Sequence, residues 1–113
     1  MSRKNRNRTP ARQAPVFAAL GDETRLLLVT KLADGQAHSI SRLTRGSRFT
    51  RQAITKHLRV LQEVGLVRCS PSGRESLFQF DPQPFADMRE YLDFVSQQWD
   101  RALGRLKALV EGE

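Results

Sequence analysis

The run Thr50-Arg-Gln-Ala-Ile-Thr-Lys-His-Leu-Arg-Val-Leu-Gln-Glu-Val-Gly-Leu-Val67 constrains the fold more than any other part of the chain. Ala53, Ile54, Leu58 and Leu61 recur at helical spacing, which predicts a helix that buries one side. Arg51, Gln52, Thr55, Lys56 and Arg59 lie off that stripe; all donate hydrogen bonds and none is acidic. Such an outer face suits the major groove of DNA, where Arg and Lys read guanine edges and Gln reads adenine. Basic outer faces also occur on helices that merely face water, so the flanking segments decide.

Upstream, Ser39-Ile-Ser-Arg-Leu-Thr-Arg45 is a shorter helix, capped by Ser39 and apolar at Ile40 and Leu43. Gly46-Ser47-Arg48 reads as a turn. Phe49 then precedes Thr50, the expected N-cap of helix 50–63, and is placed to staple its entry against Ile54. Two short helices across a tight glycine turn, the second polar outside, make a helix-turn-helix. Downstream, Gly65 stops the helix. Leu66–Ser70, a turn over Pro71–Arg74 and Glu75–Phe80 then read as a β-hairpin. A hairpin spanning 67–80 with Arg74 at its tip makes the unit a winged helix-turn-helix. Arg51, Gln52, Thr55 and Lys56 are the expected base-edge contacts. Arg59, Arg48, Arg42 and Arg74 are expected on phosphates, and Thr50 is expected both to cap its helix and to present N-terminal amides to a phosphate.

The charge is segregated. The chain is +7 overall, but residues 1–13 carry +5, 14–38 carry −1, 39–80 carry +6 and 81–113 carry −3. Positive charge therefore concentrates on the helix-turn-helix, the wing and the N-terminal arm, where it would steer association with nucleic acid. Residues 1–13, polar and rich in Arg and Asn, are expected to form a flexible basic arm. Pro15 is expected to start a first helix containing Val16, Phe17 and Leu20; Asp22 caps a second one bearing Leu26 to Val29, Leu32 and Ala33.

After Pro82 and Pro84, the residues Phe85, Met88, Leu92, Val95, Trp99, Ala102, Leu106 and Leu109 repeat at spacings of three and four. This seam packs helix on helix, and at 1.5 Å per residue the helix is about 40 Å long, more than one small domain covers. The expected organisation is an arm over 1–13, a winged helix-turn-helix domain over 14–81 and a dimerisation helix over 82–113. The fold class is mainly α with a small β-hairpin, dimerised through its terminal helices. The expected interface comprises Phe17, Leu20, Phe85, Met88, Leu92, Val95, Trp99 and Leu106. A two-fold pair of reading helices would meet successive major grooves roughly 34 Å apart on an inverted repeat.

Phe17-Ala-Ala-Leu-Gly-Asp-Glu-Thr-Arg-Leu26, Arg51-Gln-Ala-Ile-Thr-Lys-His-Leu-Arg-Val-Leu61 and Gly65-Leu-Val67 together resemble the ArsR/SmtB family of bacterial winged-helix repressors, in register from about Val16 to Phe80. The resemblance implies a homodimeric, cytoplasmic repressor of its own operon, with double-stranded DNA as its partner. Many members of that family release DNA when a metal binds, through a Cys-x-Cys pair in the first helix of the helix-turn-helix or Asp/His and His/Glu pairs on the last helix. Here the first region reads Ser41-Arg-Leu-Thr-Arg-Gly46 without a thiol. The last helix has Asp87, Glu90, Asp93 and Asp100 but no histidine. Carboxylates alone make a poor transition-metal site. The chain thus resembles the metal-free branch, and no metal or other cofactor is expected. His57 lies in the reading-helix motif, His38 stands alone in a loop, and Cys69 is a small residue of the first wing strand.

One domain of this length carries a modest core. A single cysteine argues against a disulfide scaffold, and no apolar run suits a membrane span or a secretory signal. No Gly-rich phosphate loop, catalytic triad or metal cluster suggests an enzyme. Two alternatives stay open. One is a regulator released by an unidentified small-molecule effector or by redox change at Cys69; the other is a winged-helix protein-interaction module without specific DNA binding.

Overall fold

The computed structural model describes residues 6–112. Arg3 and Lys4, two of the cations counted in the N-terminal arm, lie outside the described residues. The elements in chain order are α1 (Pro10–Leu20), α2 (Glu23–Leu32), β1 (His38–Ser39), α3 (Ile40–Thr44), α4 (Arg51–Glu63), β2 (Val67–Ser72), β3 (Glu75–Phe80) and α5 (Gln83–Glu111).

Three helices begin at side-chain caps. Asp22 accepts from the Arg25 amide at 3.0 Å, Ser39 from the Arg42 amide at 3.1 Å and Thr50 from the Ala53 amide at 3.1 Å. Each bond satisfies an amide that the first helical turn leaves without a partner. Between α3 and α4 the chain reverses at Gly46, whose φ of 74° a side chain would resist.

One core joins these elements. Leu28 and Leu32 of α2, Leu43 of α3, Ile54, Leu58 and Leu61 of α4, Leu66, Val67 and Phe78 meet Val16, Ala19 and Leu20 of α1. Each buried leucine contributes about 1.5–3 kcal/mol relative to exposure. Phe49 packs against this cluster, as expected of a residue stapling the entry to α4. In α2, Leu26 and Leu27 face outward, so its apolar run is only partly core.

The sheet has three antiparallel strands in the order β1-β3-β2, with His38 opposite Phe78, Ser39 opposite Leu77 and Val67 opposite Phe80. The wing is therefore tied back to the helix-turn-helix through β1. His38, expected alone in a loop, is a buried strand residue whose Nε2 lies 2.9 Å from Asp34 Oδ2. The wing turn is also tighter than expected. Pro71 pairs with Ser76 inside the ladder, and Gly73 and Arg74 alone make the bend. Gly73 takes φ 63° at the position where two-residue hairpin turns require it.

The N-terminal region differs most from expectation. Helix α1 starts at Pro10, where a missing amide costs nothing, and Pro15 sits inside it. Residues 6–13 do not form a free arm. Asn7 is fully buried: its Nδ2 donates to Glu90 Oε2 at 2.9 Å and Asp87 Oδ1 at 3.2 Å, and its Oδ1 accepts from buried Gln13 at 3.5 Å. A polar side chain tolerates burial when its donors and acceptor are all paired. Arg8 stacks its guanidinium 4.7 Å above the Phe94 ring. Phe17 meets Tyr91 edge-on at 6.0 Å, completing the contact of α1 with α5.

This docking revises the expected interface. Leu20 and Met88 are buried within the subunit's own core and are unavailable to a partner. Phe85 rests on Phe80 at 5.6 Å, and Phe17 is half-covered by Tyr91. Leu92, Trp99, Leu103, Leu106, Leu109 and Val110 are exposed along the remainder of α5, and Val95 is half-buried. The far half of α5 projects beyond the core, and the molecule extends 69 Å along its longest axis.

Candidate nucleic-acid interface

The register of α4 divides its residues by side. Ile54, Leu58 and Leu61 are buried in the core, so Arg51, Gln52, Lys56 and Arg59 must face away from it, and all four are exposed. With Thr50, Ala53 and Thr55 they line one open depression along the helix. The expected base-edge residues are thus brought together on one surface.

Not all of them point freely outward. Thr55 donates its hydroxyl to the Arg51 carbonyl at 2.7 Å, leaving the oxygen lone pairs and the methyl group to face a ligand. Arg51 donates through Nη1 to Ser41 Oγ on α3 at 2.6 Å. Ser41 was not anticipated as part of the site; no sequence signal links positions ten apart on different helices.

The remaining expected residues surround the depression less closely. Arg42 is exposed on α3, and Arg48 lies over the Phe49 ring at 5.2 Å. Arg74 at the wing tip shares a recess with Ser39, Ile40, Ser41, Arg51, Glu75 and Ser76. The wing and the reading helix therefore meet along one wall, because β1 pairs with β3 and also leads directly into α3.

Behind α4, a small polar cluster fixes its position. Arg25 on α2 donates to the carbonyls of Ala18 and Ala19 and lies 3.3 Å from His57 Nδ1. A guanidinium has no acceptor, so His57 Nδ1 accepts and the ring proton sits on Nε2. Asp22 Oδ2 lies 3.7 Å from the same nitrogen. The Arg25 backbone amide holds the Asp22 carboxyl below the usual carboxylate range, aided by the nearby Arg25 charge. His57 is therefore a packing residue on the inner flank of the reading helix.

Among the described residues, no group of three or more His, Cys, Asp or Glu is placed to hold a metal ion. Cys69 is exposed on β2, the outer strand of the wing. No described helix is long and apolar enough to cross a membrane.

Comparison with known proteins agrees with this geometry. Residues 22–68 match the family described as bacterial regulatory protein, arsR family, a span that contains α2, the helix-turn-helix and the start of the wing. The chain is 35% identical over 97 residues to the HTH-type transcriptional regulator Rv2034 of Mycobacterium tuberculosis, covering 86% of this chain and 87% of that one. Its fold is similar to an ArsR-like transcriptional regulator from Rhodococcus sp. RHA1, with a TM-score of 0.76, 38% identity and coverage of 88% of this chain and 92% of that one. It shares a fold, at 18% identity and a TM-score of 0.62, with the homodimeric winged helix-turn-helix domain of Mb0332 from Mycobacterium bovis, covering 78% of this chain and 81% of that one. With the winged helix-turn-helix built as described and these relatives being transcriptional regulators rather than enzymes, the chain belongs to the ArsR family of bacterial regulatory proteins.

Proposed function

We propose that this protein is a homodimeric autorepressor that binds an inverted-repeat operator, without the metal sites many of its family use. The observation that carries the reading is the outer face of α4. Gln52, Lys56 and Arg59 are exposed on a helix whose opposite side is fixed in the core, and no acid stands among them. Gln52 and Lys56 would reach base edges, and Arg59, Arg48 and Arg42 would reach phosphates. Thr50 closes the N-terminus of α4 through its hydroxyl, and the amides of that turn would favour a phosphate.

Dimerisation is supported by α5. Trp99 is 64% exposed and Leu109 72% exposed, on a helix whose apolar seam continues past the end of the core. A contiguous apolar surface of this kind marks an interaction site. The M. bovis protein of the same fold is a homodimer. The partner is therefore a second copy, with Phe85, Leu92, Val95, Trp99 and Leu106 at the seam, and the working location is the cytoplasm, where the DNA is.

The test is a titration on the DNA upstream of the protein's own coding sequence and on a scrambled duplex, at physiological salt, with and without a chelator. Preference for the upstream DNA, unchanged by the chelator, is the expected result. Equal binding to both duplexes would instead favour a docking module.

A further inference from the structure

We propose that Arg51 and Arg74 form a two-guanidinium cleft that grips one phosphodiester of the DNA backbone, with Ser41 as the positioning residue that aims Arg51 into it. The inference rests on the DNA-binding reading and revises the role expected of Arg51, which was to read a base.

Arg51 is the first residue of α4 and lines the depression along the reading face. Its guanidinium, however, is drawn across to α3 by the 2.6 Å bond to Ser41 Oγ and lies toward the tip of the wing. There it shares a recess of about 180 Å³ with Arg74. That is room for several waters at about 30 Å³ each, and so for a phosphate group.

The chemistry of the walls fits an anion. Ser39, Ser41 and Ser76 add hydroxyl donors, and Glu75 is the one acid among the residues lining the recess. Two guanidiniums against one carboxylate leave the cleft positive. Guanidinium forks match phosphate oxygens in pairs. The location also suits a backbone phosphate rather than a base. On the DNA-binding reading, a guanidinium bonded to Ser41 and sharing a recess with the wing is placed where the wing would meet the sugar-phosphate strand. Because β1 joins the wing to α3, the two arginines are held by one sheet and one helix-turn-helix, not by independent loops.

The experiment uses the full chain and two duplexes, its preferred sequence selected from a random pool and a scrambled control. Six variants are compared with the parent: Arg51→Ala, Arg74→Ala, the double variant, Arg51→Lys, Ser41→Ala and Ser41→Thr. Each phosphate contact contributes about 0.9 to the slope of log affinity against log salt. Two arginines on one phosphate predict that the double variant loses about 0.9 of slope per protomer, on both duplexes, with the ratio of the two affinities kept within about twofold. A loss of about 1.8 per protomer would place them on separate phosphates and overturn the cleft.

Arg51→Lys is expected to retain most of the affinity, since lysine also binds phosphate as a point charge, whereas an arginine forked on guanine would lose preference for the selected sequence. A fall in that preference for Arg51→Lys or Arg51→Ala would overturn the assignment. Ser41→Ala should weaken both duplexes in parallel and Ser41→Thr should restore them; no change in Ser41→Ala would remove its positioning role. Replacing chloride by inorganic phosphate at equal ionic strength is expected to leave the gap between parent and double variant intact. Closure of that gap would assign the cleft to the free ion. The salt slope on the scrambled duplex reports the cleft, while the ratio between duplexes reports operator recognition, so failure of one is distinct from failure of the other.

Discussion

Helices α4 and α5 are both amphipathic, yet they resolve their apolar sides differently. In α4, thirteen residues long, Ile54, Leu58 and Leu61 are all covered by the rest of the chain. In α5, twenty-nine residues long, Met88 is the one buried residue, and the seam from Leu92 to Val110 is largely open. A helix with its inner side filled has its outer side fixed in direction, which is what reading a groove requires. A helix with an open apolar side keeps a site for another molecule. An apolar stripe thus announces burial but not the identity of what does the burying.

The strongest way to break this contrast is to open the core beneath α4. Leu61→Ala, at a position with no exposure, is expected to destabilise the subunit by about 2–5 kcal/mol in urea unfolding. The matching change on α5, Leu109→Ala, should leave the unfolding of the isolated subunit nearly unaltered. Comparable losses would mean that the two helices are equally committed to the same core.

The next effect concerns association. Trp99→Ala is expected to weaken the dimer by about 2 kcal/mol or more, as a central aromatic anchor does. Sedimentation equilibrium measures it, and an unchanged mass distribution would show that the second copy sits elsewhere. On the reading side, Gln52→Ala should lower the preference for operator over scrambled DNA by about 1–3 kcal/mol while leaving thermal stability alone. Thr50→Ala removes the cap of α4 and should cost about 1 kcal/mol of stability.

The smallest effect depends on pH. The Gln36 amide and then the His38 side chain hold the Asp34 carboxyl below its usual range, and Asp22 is lowered by the Arg25 amide. For carboxyls depressed in the folded state, the stabilisation is present above the unfolded value of about 3.9 and is lost as pH falls through the folded value. Asp34→Asn should therefore cost a little stability at neutral pH, and parent and variant should converge as pH falls below about 4. A loss confined to alkaline pH would contradict the sign.

The helix-turn-helix was legible in the sequence because its signals are local. Caps at Ser39 and Thr50, the turn at Gly46 and the spacing of Ile54, Leu58 and Leu61 all act within a few residues. What escaped was non-local. Strand β1 has two residues and no periodicity, and it exists because β3, some forty residues later, offers a ladder. Asn7 looks like a disordered polar residue until its partners on α5 are in place. Leu20 and Met88 stand at helical spacing with interface candidates, and spacing alone cannot say which of two facing surfaces an apolar side chain meets. Ser41 likewise enters the site only through the fold.

The bonds from Asn7 to Asp87 and Glu90 span 80 and 83 positions, which ties the earliest described part of the chain to its last helix. Ribosomes add about 5–20 residues per second, so Asn7 is made roughly 4–16 seconds before its partners exist. Residues of α2, α3 and α4 can collapse meanwhile, but Asn7 and Arg8 reach their final surroundings only after α5 has been made. The clasp is therefore a closing step, and a truncated product lacking α5 would keep the reading helix while leaving its N-terminus with nothing to grip.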